Sequence, residues 1–410
     1  MSTPQSTNPQ DYYLDGLSEI IREIVEKSGN GACIFRGEPE TYDDEPFCGK
    51  VSSTLYRMAP NSFDSGKLEL AYEQDKIINE LNSYLPVPKQ NKGFEIWTEL
   101  QHYGTETNLI DFTTDYHIAL FFACNGSHDK DGRVIIFSRT DSINQKYHIK
   151  RPHSPENRVL AQKSIFAQPP KGYLDFGDYT IVSVPANLKQ WFLIHLRKFQ
   201  DVSTQSVYND IHGFIRHRTL RLSPTARIPR ETGLKIMIEV PERDPVDEEA
   251  KKKLLLAIKH HTSGLQYAPY DASFYTELSY CYFLLDDISR AIETLSKAIW
   301  ADPNYESAYY MRARCYTVQR DNEHALADLK TVIDFDSKLA GKAHYRRGME
   351  LLHSKNWEAA KSDFIAANAK LMHIRFQFAA DFHSVAHYEH VSGVKLPKDI
   401  SELLQPEQPP

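Results

Sequence analysis

Alanine stands at positions 257, 291 and 325, 34 residues apart, and again at 360 after 35. Leu295, Leu329 and Phe364 keep the same two spacings, as do Ala298, Val332 and Ala367. No other feature of the chain constrains its fold as much. A period of this length holds two antiparallel helices joined by short turns. Small residues in fixed columns mark where the helices cross and their backbones approach closely. Pro269 and Pro303, again 34 apart, follow the second helix of a unit, where proline ends it. Tyr275 and Tyr309 mark the first helices, and Gly348 takes the small-residue position of the last unit.

A 34-residue helical pair with these columns resembles the tetratricopeptide repeat (TPR). The resemblance covers roughly residues 248–372: three full units, preceded by a half unit carrying Ala257. Ser337 stands where a proline is usual, and Arg312 and Arg347 replace the usual leucine of the first helix. A helix at about 374–391 is expected to cap the array. The resemblance implies an all-α solenoid with a concave groove that binds a protein or peptide partner. A spacer or dimer contact is the other reading.

The remaining half differs in kind. Short apolar runs predict strands at 32–37, 133–138, 180–185 and 234–240, and helical spacing appears at 14–28, 66–84 and 116–124. The expected organisation is a tail and helix (1–29), an α+β domain (30–240), a Pro- and charge-rich linker (241–249), helical repeats with a capping helix (250–392) and a tail (393–410). At very roughly 150 residues per domain, 410 residues agree with that division. The hydrophobic share of 41% excludes wholesale disorder. A net charge of −7 excludes a whole-protein nucleic-acid glove. A basic stretch at 212–235, with Arg216, Arg218, Arg221, Arg227 and Arg230, keeps a local nucleic-acid contact open. There is no apolar run of about 18 residues, so no membrane span is expected. The start lacks a basic, apolar leader, and five cysteines occur without a CxxC pair. A cytoplasmic protein with reduced thiols is the expectation.

Two segments carry the chemistry: Ile34-Phe35-Arg36-Gly37, and Leu100 to Cys124, LQHYGTETNLIDFTTDYHIALFFAC. Together they resemble the FRG domain, named for its Phe-Arg-Gly motif. Ser53-Thr54-Leu55-Tyr56-Arg57 matches that family's second motif. Gln101, His102, Tyr103, Gly104, Thr107, Asp111, Thr113, Ala119, Phe121, Phe122 and Ala123 match its centre, and Arg158, Gln162 and Phe166 a later pattern. Tyr208 to Gly213 echoes its closing element, so the resemblance covers about 30–220. Asn108 departs from the family's usual arginine.

Arg36 at a strand end can hold a phosphate or carboxylate bidentately, and Gly37 would admit a ligand close to the backbone. The other reading of Arg36 is a buried ion pair. His102 and Tyr103 suit proton transfer or stacking. Asp111 and Thr113 precede a helix and are read either as its caps or as site residues. The arrangement is similar, at a distance, to ADP-ribosyltransferases, in which an aromatic-Arg-Gly strand binds NAD. That similarity implies Asp111 and His102 as catalytic residues, and Arg36, Gly37, Arg57, Gln101, Tyr103, Thr113 and Gln162 as ligand-binding. The usual Gln-x-Glu or Glu-x-Glu motif of the catalytic glutamate does not occur in the plausible region after residue 150; Gln162, Asp210 or Glu239 would have to substitute. His383, His387 and His390 share helical spacing but lack cysteine or carboxylate companions, so no metal is expected. Three functions stay open: an NAD-using toxin or phage-defence effector, a non-catalytic adaptor, and a nucleic-acid-directed enzyme.

Overall fold

A computed structural model describes residues 9–29, 31–84, 93–102, 104–152, 157–210, 232–236, 247–370 and 373–405. The chain divides into two units, 1–223 and 224–410. The first runs α1 (Pro9–Ser28), β1 (Cys33–Glu38), α2 (Thr54–Met58), α3 (Pro60–Asp64), α4 (Leu70–Tyr84), α5 (Phe94–His102), β2 (Ile110–Thr113), α6 (Tyr116–Cys124), β3 (Gly132–Ser138), α7 (Asp141–Lys146), α8 (Asn157–Ala161), β4 (Ser164–Ala167), β5 (Thr180–Val184), α9 (Ala186–Gln200) and α10 (Thr204–Val207). The strands form one antiparallel sheet in the order β4-β2-β1-β3-β5. This is the expected α+β domain, with β2 and β4 added to the strands anticipated from the sequence.

Side chains alternate across a strand, and the register assigns them to faces. Ile34, Ile110, Phe112, Ile135, Phe137 and Ile165 enter one core, closed by Val51, Tyr147 and Leu174. The other face carries α6. A Cβ on Gly37 would lie 1.8 Å from the Ala119 carbonyl oxygen, and one on Gly132 would lie 2.2 Å from that of Ala123. Gly37 therefore makes room for α6. The small Ala119 and Ala123 complete the close approach. Gly37→Ala is expected to force α6 off the sheet, at the upper end of the ~1–3 kcal/mol that overpacking costs. Chemical denaturation of the α+β unit measures it.

Three boundaries differ from the sequence reading. The helix of segment 1–29 is part of the first unit: Leu17, Ile20 and Ile24 are buried, and α1 packs on α9 and β5. Tyr13 stacks on Trp191 with ring centroids 4.6 Å apart. Of the expected strand at 234–240, residues 234–236 are instead helical, within 232–236 (α11), and 237–240 lie outside the described residues. Ile236 packs against Leu254, Ala257 and Cys281, and Gly233 lies against His261, so this segment belongs to the second unit. An apolar run this short reads equally as strand or buried helix. Of the expected linker, 241–246 lies outside the described residues, and Asp247 already caps the next helix.

The second unit continues with α12 (Glu248–Tyr267), α13 (Ala272–Leu284), α14 (Ile288–Ala301), α15 (Glu306–Gln319), α16 (Asn322–Asp334), α17 (Ala340–His353), α18 (Trp357–Lys370), α19 (Ile374–Phe382), α20 (Val385–Ser392) and α21 (Lys398–Leu404). Pairs α13–α14, α15–α16 and α17–α18 are the three full repeats, and α12 is the half unit. Ala257, Ala291, Ala325 and Ala360 are all 0% exposed, as helix crossings require. Gly348 leaves room for Phe364, whose ring would lie 2.8 Å from a Cβ there. The expected capping helix is two helices, broken at His383 in the left-handed region (φ 60°). His383, His387 and His390 thus do not share one helix. The expected tail contains α21, because Ile400 and Leu404, one turn apart, bury into the terminal core. Among the described residues, no helix is long and apolar enough to cross a membrane.

Candidate functional site

β1 ends and β2 begins at the same end of the sheet. Phe35 pairs with Thr113, so Gly37 and Asp111 share one face while Arg36 and Glu38 point to the other. Arg36 donates through Nε to Glu38 Oε1 at 2.8 Å and through Nη1 to the Asp111 carbonyl at 3.0 Å. Arg133, opposite Glu38 in the register, donates through Nε and Nη2 to Glu38 Oε2 at 2.9 and 2.7 Å, and through Nη1 to the Gly49 carbonyl. The side chains of Glu38 and Arg133 are 3% and 2% exposed. One carboxylate therefore bridges two guanidiniums inside the fold. Burial alone would raise the Glu38 pKa, but Arg36, then Arg133, and hydrogen bonds from both hold it below its ordinary value. Arg36 forms the ion pair of the alternative reading, with a side chain that is 17% exposed. Glu38 and Arg133 were missed; their signal was position, two residues past Arg36 on the same strand face and at the head of the RVIIFS run.

On the other face, Gln101 donates to Asp111 Oδ1 at 2.6 Å and accepts from the Thr107 hydroxyl. Thr107 exchanges hydrogen bonds with Thr54 at the start of α2. This chain ties α5, the Thr107 loop and α2 to the sheet end. The side chain of Arg57, on α2, has no hydrogen bond or ion pair among the described residues. Burial, then the neighbouring charge of Arg36, lower its pKa. Glu38, Tyr42 and Asp111 act on it in the opposite sense. Asn108, where the family usually has arginine, is buried and donates to the Pro169 carbonyl at 3.0 Å.

Other expected site residues have structural duties. Asp111 does not cap α6; Asp115 does, accepting from the His117 amide at 2.9 Å and from Lys163 at 2.7 Å. Thr113 accepts from the Asp115 amide and so shapes that turn. Gln162 donates to the Val207 carbonyl at 3.2 Å, tying α8 to α10. The His102 and Arg158 side chains, Tyr103, Glu239 and most of the 212–235 stretch lie outside the described residues. Among the described residues, no cluster of three metal-ligating side chains occurs.

The second candidate surface is on the repeats. On α15, Arg312, Ala313 and Tyr316 turn toward α16: Arg312 forms a bidentate pair with Asp328 at 2.7 and 2.8 Å, and Tyr316 stacks on His324. Tyr310, Met311, Arg314 and Thr317, spaced at i, i+1, i+4 and i+7, form a different face. Arg314 lies 4.9 Å from the Phe283 ring of α13. Arg346 of α17 donates to the Tyr310 hydroxyl at 2.9 Å, and Thr317 donates to Glu350 at 2.6 Å. The first helices of successive repeats thus stand side by side along a row of aromatic and cationic side chains. Arg347, half-buried, and buried Asp363 repeat the clasp one unit on, at 2.8 and 2.7 Å.

The FRG domain family matches residues 31–132, and the tetratricopeptide repeat family matches residues 272–305. The chain carries an FRG domain followed by tetratricopeptide repeats. Among solved structures, it is similar to the first TPR of Spaghetti (RPAP3) bound to the HSP90 peptide SRMEEVD, with 23% identity, 28% of this chain and 80% of that chain covered, and a TM-score of 0.24. It is also similar to MamA (17% identity, 44% and 91% covered, TM-score 0.33). A third is YrrB, a TPR protein with an unusual peptide-binding site (17% identity, 42% and 89% covered, TM-score 0.30). No curated protein matches the chain.

Proposed function

We propose that the repeats hold a segment of a partner protein along their first helices, and that the FRG domain is the effector part, binding an anionic, nucleotide-like ligand in the cytoplasm. The row formed by Phe283, Tyr310, Met311, Arg314 and Arg346 carries the reading. Large amphipathic rings and arginines are the residues that anchor protein interfaces. Peptides selected from a displayed random library on the full-length protein test it. Selected peptides are expected to bind the Arg314→Glu/Arg346→Glu variant more weakly, by on the order of tenfold or more. Selection of no peptide, or equal binding to the variant, overturns the reading.

The finer form of the proposal is ADP-ribosyl transfer from NAD in a toxin or phage-defence role. Asp111, held by Gln101 at the sheet end, supports it as the carboxylate that would stabilise positive charge developing at the ribose. Nicotinamide release from NAD, with and without a selected peptide, is the assay. Asp111→Asn is expected to retain NAD and lose release by about two orders of magnitude. No release from the wild type under either condition leaves the non-catalytic adaptor in its place.

A further inference from the structure

We infer that Arg57 is the anion-binding group of the FRG domain, taking a phosphate of the ligand at the end of the sheet where β1 finishes and β2 starts. The inference rests on the ligand-binding half of the proposed function and names the residue and the chemistry. Arg133 commits all three guanidinium nitrogens, and Arg36 its Nε and Nη1, to Glu38 and to the carbonyls of Asp111 and Gly49. Arg57 carries five N–H donors and meets none of its needs among the described residues. Its side chain is partly buried. A partly buried guanidinium with no protein partner has its donors available to an anion's oxygens.

The surroundings point the same way. Among the described residues, Arg57 lies within electrostatic reach of Arg36, Glu38, Tyr42 and Asp111. Glu38 is already bridged by Arg36 and Arg133. The position is held rigidly from below. Ser53 caps α2, Leu55 donates its amide to the Thr107 carbonyl, and Thr54, Thr107 and Gln101 link α2 to Asp111. Tyr42, in the left-handed region at φ 53°, lies within electrostatic reach of Arg57 and Arg36. A planar fork of donors matches two phosphate oxygens.

Titration calorimetry on the full chain with pyrophosphate, ADP-ribose and citrate tests this, paired with chemical denaturation of the unliganded protein. Pyrophosphate and ADP-ribose are expected to bind the wild type, and Arg57→Gln to weaken both by at least about tenfold. Tighter binding of ADP-ribose than pyrophosphate assigns a nucleotide over a free phosphate. Unliganded Arg57→Gln is expected to be at least as stable as the wild type, whereas Arg36→Gln is destabilised. The inference is overturned if neither phosphate probe binds, if Arg57→Gln binds as the wild type does, if citrate binds as tightly as pyrophosphate, or if Arg57→Gln unfolds as readily as Arg36→Gln. These readouts do not involve the repeats, so their failure is separable from failure of peptide binding.

Discussion

Glu38→Gln is expected to unfold the FRG domain at much lower denaturant than the wild type while leaving the repeat array's transition in place. Gln keeps the shape of Glu38 and removes its charge. Arg36 and Arg133 would then share no carboxylate, with Arg133 almost wholly out of water. Breaking a buried pair from one side costs ~3–5 kcal/mol. Here one carboxylate serves two cations, so the upper end applies. That is a large share of the ~5–15 kcal/mol that stabilises a typical domain. The pH dependence supplies a second readout. The folded-state pKa of Glu38 lies below its ordinary value of 4.5. Its contribution is therefore fully present above that value and is lost as pH falls through the folded pKa. Other depressed carboxylates, Asp115 among them, titrate in the same direction. The difference between wild type and Glu38→Gln isolates the bridge: the gap should narrow as pH drops below about 4. Equal stability of the two proteins at neutral pH would show that the two arginines do not depend on Glu38.

The Phe-Arg-Gly segment illustrates what a linear reading captures and what it misses. Its strand was legible because Ile34 and Phe35 are apolar and glycine follows. The partners of Arg36 and Gly37 were not, because they come from elsewhere in the chain. Arg133 reaches Glu38 only through strand pairing, and Ala119 meets Gly37 only when α6 crosses the sheet. A motif glycine is compatible with a ligand or a helix above it, and only the third dimension decides between them. β2 and β4 have four residues each, too few to show alternation against their surroundings. Ile236 was read as strand because an isolated apolar run has no period. The repeats were legible over more than 100 residues because their period repeats the same packing problem three times. Arg57 lies within a recognised motif, but only its side chain's lack of partners, set against the pairing of Arg36 and Arg133 with Glu38, singles it out.

The buried clasps of the array offer a quantitative test of that periodicity. Arg312 and Arg347 looked like departures from a leucine column. Each is compensated sixteen residues later, by Asp328 and Asp363, so the departure is paired. The first repeat keeps an uncharged solution at the same two positions, with Leu278 and Thr294 both buried and the Thr294 hydroxyl donating to the Arg290 carbonyl. The two solutions should therefore be interchangeable only as pairs. Asp328→Thr alone leaves Arg312 buried with only the Ser296 hydroxyl, at 3.0 Å, and is expected to cost ~3–5 kcal/mol. Adding Arg312→Leu installs the first repeat's pair. Ser296 stays satisfied, since its hydroxyl donates to the Ile292 carbonyl. Replacing a buried ion pair by residues that pack well is neutral to ~1–4 kcal/mol stabilising. The double variant is therefore expected to unfold at or above the wild-type denaturant midpoint, with a coupling of several kcal/mol between the two sites. A double variant no more stable than Asp328→Thr alone would mean that Arg312 supports the array through contacts other than this carboxylate. If the clasp is as described, the array tolerates either chemistry at its crossings, provided both members change together.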